Sequence, residues 1–134
     1  MNIERTLAII KPHAVKEHNT GLIIHLIELN KFKIVNLVKK HLTKSETEKF
    51  YEIHKERPFF NDLVSNISAG PVILLELEKD NAIQAWRDLM GATDPLKASV
   101  GTLRIMFGES IDFNAVHGSD SVENAKKEIS MFFK

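Results

Sequence analysis

Short apolar segments alternate with amphipathic helical segments along this chain, and their order restricts the folds that the chain can adopt. Residues 5–11 are short and apolar and are followed by Pro12, which predicts a buried strand. Thr20 can cap a helix whose apolar residues recur at helical spacing, and Asn30 would end that helix in a left-handed conformation. Residues 32–42 then predict a second strand.

The middle of the chain predicts an insertion, a third strand and another amphipathic helix. Residues 45–55 favour a helix, and residues 57–60 begin a further short helical stretch between strands. Residues 72–77 are apolar enough for a central strand. Asp80 can cap the next helix, which Gly91 ends. The order of elements to this point is therefore βαββα.

The last third of the chain predicts a long loop, a short strand and a final helix. Between residue 92 and about residue 116 the sequence predicts no regular element, and so long a loop in a compact domain is usually functional or disordered. A short fourth strand is expected near His117. Asp120 is the predicted N-cap of the final helix, and Glu123 would complete a capping box.

Composition narrows the class of protein. A chain of 134 residues is about the size of one domain, so residues 1–134 are expected to form a single domain. Its 18 basic residues balance its 18 acidic residues, so no net charge recruits nucleic acid or an anionic membrane. The lack of cysteine excludes thiol chemistry and is compatible with a reducing, cytoplasmic location. Every apolar run is far shorter than the ~20 residues of a membrane span, so no membrane partner is expected.

His117 is the histidine with the most suggestive neighbours among the six in the chain. Histidine is often neutral at physiological pH and can then act as a nucleophile or base. Gly118 follows it and permits close approach of a backbone or ligand. Glu128 lies at the edge of the buried stripe of the last helix, where an imidazole N–H would be a suitable partner. A packing role for the histidine and partial exposure for the glutamate are the open alternatives.

Two arginines and one phenylalanine are candidates for nucleotide binding. Arg87 and Arg104 could spread positive charge over a triphosphate, because the planar guanidinium suits phosphate oxygens. Taken singly, each could equally be a solvated or salt-bridged side chain. Phe59 could stack on a nucleobase, although consecutive phenylalanines more often pack in a core. The chain has no Walker-type phosphate loop, so it would hold phosphates in another way.

Six sequence blocks carry a resemblance to a known family. They are Lys11-Pro12, Arg57-Pro58-Phe59-Phe60, Ser68-Ala69-Gly70-Pro71-Val72, Met90-Gly91-Ala92-Thr93-Asp94-Pro95, Gly101-Thr102-Leu103-Arg104 and Asn114-Ala115-Val116-His117-Gly118-Ser119-Asp120-Ser121. In this order they strongly resemble nucleoside diphosphate kinases. The resemblance implies an α/β (α+β) fold, a ferredoxin-like βαββαβ sandwich in which helices cover a four-stranded antiparallel sheet of order 4-1-3-2. In that topology the scattered motifs converge on one rim of the sheet.

The resemblance also implies an activity and a set of site residues. His117 would accept the γ-phosphoryl group of ATP and pass it to nucleoside diphosphates, with ping-pong kinetics and broad base tolerance. Mg²⁺ would be carried by the nucleotide phosphates rather than by a dedicated protein site. A homo-oligomer, either a tetramer or a hexamer, is also implied. The implied residues are, for catalysis, His117, Glu128, Lys11, Tyr51 and Ser119, and, for nucleotide binding, Lys11, Phe59, Arg87, Thr93, Arg104, Ile111 and Asn114.

Within this resemblance the roles are divided among three groups. Glu128 would orient the histidine ring, with Tyr51 and Ser119 in support. Lys11, Arg87, Thr93 and Arg104 would hold phosphates, and Lys11 and Asn114 would reach the sugar hydroxyls. Phe59 and Ile111 would enclose the base.

Two positions depart from the family pattern. His13 stands where many members have an acidic residue, and Ile105-Met106 where many have a small residue followed by Asp. The first change concerns a turn, whereas the second puts bulk into a loop often used for subunit contacts. We expect the second to affect assembly and loop stability more than catalysis.

Three other functions compete with this interpretation. A ferredoxin-like RNA-binding module would share the βαββαβ order, but the strands lack its typical aromatic pattern and the chain lacks basic excess. A catalytically silent relative would share the fold, but every key position is filled. A histidine phosphotransfer domain presents its histidine on a helical bundle, whereas His117 precedes Gly118 in a strand-rich chain.

Overall fold

A computed structural model describes residues 1–133, in which four strands and seven α-helices are formed. The strands are β1 Ile3–Ile10, β2 Lys33–Lys40, β3 Val72–Asp80 and β4 Val116–Gly118. The α-helices are α1 Pro12–Lys16, α2 Thr20–Leu29, α3 Lys44–Phe50, α4 Phe60–Ser68, α5 Ala82–Met90, α6 Leu103–Phe107 and α7 Val122–Phe132. Two single 3₁₀ turns, Glu52–His54 and Pro95–Lys97, complete the regular structure of the described chain.

The four strands form one antiparallel sheet in the order β2-β3-β1-β4. This is the predicted order, and it confirms the ferredoxin-like arrangement. The last residues of β1 are all buried, as expected for a central strand whose two faces are both covered. The pairing of Ile9 with His117 places the candidate nucleophile directly beside the end of β1.

Alternation along β1 divides the interior into two apolar layers. Ala8 and Ile10 face a core that α2 and α5 cover, where Ile27 and Trp86 are fully buried. The opposite residues of β1 face a second core, which is covered by α3, α4 and α7. The insertion between β2 and β3 and the final helix therefore close the second face of the sheet.

The first two predicted helix caps are wrong in detail. Thr20 is already inside α2, whose N-cap is Asn19, and the left-handed residue after that helix is Lys31 rather than Asn30. Asp80 does not cap α5, because its carboxylate accepts the backbone N–H of Asn2 instead. The predicted end of α5 at Gly91 is confirmed, with a φ of +86°.

The predicted capping box at the final helix is also wrong. Ser121, not Asp120, is the N-cap of α7, and its hydroxyl accepts the backbone N–H of Asn124 at 3.1 Å. The carboxylate of Asp120 accepts a hydrogen bond from the side-chain amide of Asn124 and not from a backbone N–H. The capping box that does form starts α3, where the side chains of Thr43 and Glu46 each accept the other's backbone N–H.

The long loop predicted between residues 92 and 116 contains regular structure. Pro95–Lys97 forms a 3₁₀ turn capped by Asp94, and Leu103–Phe107 forms α6 capped by Thr102. Both elements are too short to show a helical period in the sequence. They are stabilised by tertiary contacts, since Leu103 is fully buried in the core beneath α5.

Candidate functional site

The rim where β1 ends and β4 begins brings several predicted site residues together. The backbone N–H of Lys11, the first residue after β1, donates a 2.8 Å hydrogen bond to the carbonyl of Ala115. The side chain of Lys11 then crosses to Asn114, with 2.6 Å between Nζ and Oδ1. The amide of Asn114 donates to the carbonyl of Thr93 at 3.1 Å. Three separate parts of the chain are thus tied together beside His117.

His117 is held by a carboxylate on α7. Its Nε2 lies 3.2 Å from Oε1 of Glu128, and both side chains are partly exposed, at 19% and 17%. Ser119 donates to the same oxygen at 2.9 Å and accepts the backbone N–H of Leu7 at 3.1 Å. The pairing fixes the orientation of the imidazole ring and leaves Nδ1 as the ring nitrogen that Glu128 does not occupy.

Aromatic rings form one wall around the imidazole. The ring centroids of Phe50 and Tyr51 lie 5.3 Å and 6.1 Å from that of His117, and both rings are steeply inclined to it. The buried hydroxyl of Tyr51 has no hydrogen-bond partner within the described chain. Burial raises the pKa of Tyr51, and the charge of Glu128 raises it further. The tyrosine is therefore a neutral group beside the histidine.

The ammonium of Lys11 is buried and poorly solvated. The residue is only 8% exposed, and burial together with the nearby Arg104 lowers its pKa to about 8. Asp112 acts in the opposite direction. The charge is thus retained at neutral pH in a site where it is poorly solvated, which favours binding of an anion that would share the site.

Arg104 is anchored by backbone carbonyls. Its two terminal nitrogens each donate a 3.0 Å hydrogen bond, one to Gly91 and the other to Val116. Burial, and to a smaller extent the charge of Arg87, lowers its pKa to about 10. The arginine therefore connects the end of α5 to β4 while it keeps a positive charge near the site.

Two cavities are both lined by Gly118 and Asp120. The larger, about 360 Å³, is lined by Arg87, Thr93 and Arg104 together with Ser119. The smaller, about 190 Å³, contains His117 with its partners. The histidine and the two arginines thus line adjacent cavities, and the arginines supply positive charge beside the carboxylates of Asp88 and Asp120.

Similarity to known proteins shows the family of this chain. A family model described as nucleoside diphosphate kinase matches residues 4–134. The chain belongs to the nucleoside diphosphate kinase family. Membership places it among the kinases and phosphotransferases of nucleotide metabolism and disfavours the RNA-binding alternative.

Individual relatives cover nearly the whole chain. It is 59% identical to the nucleoside diphosphate kinase of Geotalea uraniireducens over 131 residues, which is 98% of this chain and 96% of that protein. The enzyme of a Nitratiruptor species is 56% identical over the same share of each chain. The crystal structure of the Aquifex aeolicus nucleoside diphosphate kinase superimposes with a TM-score of 0.96 at 38% identity, covering 98% and 96% of the two chains. The Encephalitozoon cuniculi enzyme gives 0.93 at 35% identity, covering 97% and 88%.

The two residues that family resemblance assigns to the base lie at the surface. Phe59 is 47% exposed, and its ring centroid lies 5.8 Å from that of His54. Ile111 is 57% exposed. Neither side chain is part of a core cluster, so the consecutive phenylalanines are not both packing residues. Their role in holding a base stays a prediction.

The sequence did not identify three residues that contribute to the candidate site. Trp86 donates its indole N–H to the carbonyl of His117 at 3.0 Å. His13 accepts the backbone N–H of Ala115 at 2.9 Å. Asp120 lines both cavities. The position of His13 directly after the Lys-Pro block was a usable signal, whereas the role of Trp86 depends on packing between α5 and β4.

Residues 1–133 contain no group of three or more acidic, histidine or cysteine side chains that could hold a metal ion. Within the same residues, no helix has both the length and the apolar character needed to cross a membrane.

Proposed function

We propose that this chain transfers the γ-phosphoryl group of ATP to nucleoside diphosphates through a phosphohistidine on His117. The observation that carries the proposal is the 3.2 Å pairing of His117 Nε2 with Glu128, beside a cavity lined by two arginines. In neutral imidazole one nitrogen carries the proton and the other keeps a lone pair. A proton on Nε2 that is held by the carboxylate leaves the lone pair on Nδ1 for attack.

The first half-reaction balances with these groups. The Nδ1 lone pair of His117 forms a bond to the γ-phosphorus, and the bond from that phosphorus to the bridging oxygen breaks, so that ADP leaves. The ring becomes positively charged as the bond forms, and the carboxylate of Glu128 stabilises that charge. In the second half-reaction a terminal phosphate oxygen of another nucleoside diphosphate forms a bond to the same phosphorus, and the phosphorus–Nδ1 bond breaks, which returns the electron pair to the ring and regenerates neutral histidine. One site that serves both halves gives ping-pong kinetics.

Charge stabilisation comes from the cationic rim. In phosphoryl transfer, negative charge on the equatorial and leaving oxygens must be offset while attacking and leaving groups are held in line. Arg87 and Arg104 supply fixed cations in the larger cavity, where Thr93 supplies a hydroxyl, and Lys11 supplies a third cation that is held by Asn114. The substrate is the magnesium complex of the nucleotide, in which phosphate oxygens bind the ion.

The sugar and the base of the nucleotide would be bound by four further side-chain contacts. Lys11 and Asn114 are assigned to the sugar hydroxyls, and Phe59 and Ile111 to the two faces of the base. An aromatic face stacks on any base without reading its hydrogen-bonding edge, so we expect broad base tolerance.

The decisive experiment is to mix the protein with magnesium and γ-labelled ATP and to look for acid-labile, base-stable label. We expect stoichiometric label on the wild type, none on His117→Ala, and normal labelling of His25→Asn, whose exposed side chain lies on α2. Labelled protein mixed with any common nucleoside diphosphate should lose its label to the nucleotide.

One further variant excludes the nearest alternative acceptor. His54 lines the same cavity as His117, so label retained by His117→Ala but lost in a His54→Asn, His117→Ala double variant would move the acceptor to His54 and contradict the proposal. Label on the wild type that survives acid treatment would contradict a phosphohistidine altogether.

The remaining expectations concern assembly and location. We infer that residues 1–134 form one domain that acts in the cytoplasm as a homo-oligomer. The edge strand β2 and helix α2 support an interface, because Leu22, Leu29, Leu37 and Val38 are all exposed. Sedimentation equilibrium should show a tetramer or hexamer for the wild type and for Lys126→Glu, and a smaller species for Leu37→Glu. A monomeric wild type would contradict this inference.

A further inference from the structure

The ring of His13 lies against the loop that leads into β4. His13 is in the first turn of α1, directly after the Lys-Pro block, and its side chain is half-buried. Its Nε2 accepts the backbone N–H of Ala115 at 2.9 Å, and its ring stands edge-on to Phe113 with centroids 5.6 Å apart. The contact joins the start of the chain to the segment between Asn114 and His117.

Ala115 is the residue in that segment that most needs external support. It is fully buried and has a φ of +74°, a left-handed value that residues with a Cβ seldom adopt. The backbone N–H of Val116 donates to the carbonyl of Asn114 at 2.9 Å, so Ala115 is the centre of a tight γ-turn. Such conformations persist only where the surrounding structure holds them.

Both polar groups of Ala115 are used in that support. Its carbonyl accepts the N–H of Lys11, and its N–H donates to His13. The turn is therefore held by Lys11, the first residue after β1, and by His13 in α1. The preceding residue, Asn114, binds the Lys11 ammonium, and the residue two positions later is His117. A shift of the Ala115 peptide would move both.

We propose that His13 is a positioning residue, whose Nε2 holds the Ala115 peptide in the turn that sets Asn114 and His117 in place. The effect on phosphorylation rests on the role proposed for His117, whereas the effect on the Ala115 amide does not.

The hydrogen bond specifies the protonation state of His13. A backbone N–H can only donate, so Nε2 is unprotonated and the proton of the neutral ring is on Nδ1. Protonation of Nε2 would replace an acceptor by a donor that faces another donor, and the turn would lose its support.

Burial and the charged groups around His13 determine the pH range in which its ring is protonated. Burial is the main cause that lowers its pKa, and the ammonium of Lys11 lowers it further. The carboxylates of Glu109, from the loop after α6, and Glu17, at the end of α1, raise it. The turn is therefore supported at neutral pH and released only in acid.

Two substitutions separate acceptor function from packing. His13→Gln keeps an acceptor at a similar distance and does not titrate near neutrality, and His13→Leu fills similar space without an acceptor. At neutral pH we expect the single-turnover rate of phosphorylation by magnesium ATP to fall roughly tenfold in His13→Leu, as for the loss of one hydrogen bond that positions a reacting group. His13→Gln should restore the rate to within about twofold. Equal rates for His13→Leu and the wild type would overturn the proposal, as would failure of His13→Gln to restore the rate.

A measurement that does not use activity tests the contact itself. In the wild type, the Ala115 amide proton should shift by NMR in step with protonation of the His13 ring as the pH is lowered, and in His13→Gln this transition should be missing. The result does not depend on whether His13→Leu folds or on whether His117 is phosphorylated. An Ala115 amide that is indifferent to His13 protonation would overturn the proposal even if the phosphohistidine is real.

Discussion

The indole Nε1 of Trp86 donates a 3.0 Å hydrogen bond to the carbonyl oxygen of His117. Trp86 is completely buried. Its ring lies so close to Gly118, the residue after His117, that a Cβ at Gly118 would come within 2.3 Å of Cδ1 of Trp86. The glycine after the histidine is thus required by the tryptophan, not only by a ligand. A core residue of α5 thereby fixes the backbone that carries the candidate nucleophile.

Trp86→Phe should lower activity more than its loss of stability explains. The substitution removes the donor to the His117 carbonyl and leaves a small void, which together should cost about 2 kcal/mol of unfolding free energy. Because the histidine backbone loses a fixed partner, we expect kcat to fall severalfold with little change in KM. Urea denaturation and steady-state kinetics would measure the two effects.

Phe32→Leu is the matched control, since Phe32 packs edge-on against Trp86, with ring centroids 5.8 Å apart. It should cost a similar unfolding free energy and leave kcat near the wild-type value. Equal kcat values for Trp86→Phe and Phe32→Leu would show that the indole N–H does not position His117.

Gly118→Ala should be strongly destabilising. The added methyl group overlaps the buried Trp86 ring, and neither the strand nor the indole can move freely, so we expect a loss of about 2–3 kcal/mol. Thermal denaturation would detect it. Gly21→Ala is the contrasting variant, because that glycine lies in α2 with open space around it and should gain about 0.5–1 kcal/mol. A stable Gly118→Ala protein would contradict the packing described.

Lys11 should make stability depend on alkaline pH. Its folded-state pKa of about 8 lies below the ordinary 10.5, so between these values the unfolded chain binds more protons than the folded one. The free energy of unfolding should therefore rise with pH across this interval, by up to roughly 3 kcal/mol. Lys11→Met has no buried ammonium at this position, so at neutral pH it should be more stable than the wild type. This difference in the free energy of unfolding should shrink as the pH approaches 10.5. Parallel stability profiles for the two proteins in urea would contradict the shifted pKa.

The same titration should affect the catalytic reaction. If Lys11 holds phosphate as a cation, kcat/KM for nucleotide should decline in the free enzyme above about pH 8, as its charge is lost. A profile that stays level to pH 10 would mean that Lys11 binds nucleotide without its charge.

Glu128→Gln should slow phosphorylation of His117. The amide can still accept from Ser119, but it cannot stabilise positive charge on the imidazole ring as the phosphorus–nitrogen bond forms. We expect the single-turnover rate to fall by about 10²-fold. Glu123→Gln, an exposed position in the first turn of the same helix, should leave the rate unchanged. Similar rates for Glu128→Gln and the wild type would exclude the charge of Glu128 from the reaction.

Several elements were predictable because their signals are local. The apolar run at β3 and the helical stripe of α5 ending at Gly91 follow from hydrophobic period and backbone preference. The caps were predicted less well, since Asp80 and Asp120 satisfy the local pattern but are engaged by Asn2 and Asn124. Choice among neighbouring polar residues depends on which donor lies nearby in the folded chain.

For this protein the sequence by itself determined the order of the strands and main helices, the resemblance to a kinase family and the candidate residues along the rim. Only the tertiary structure decided that Arg104 is anchored to Gly91 and Val116, that Trp86 holds the backbone of His117, and that His13 supports the turn at Ala115. The physical reason is that hydrophobic period and backbone preference act between near neighbours in sequence. The hydrogen bonds that orient a reacting group join residues that only the packing of helices against the sheet brings within 3 Å or so of each other.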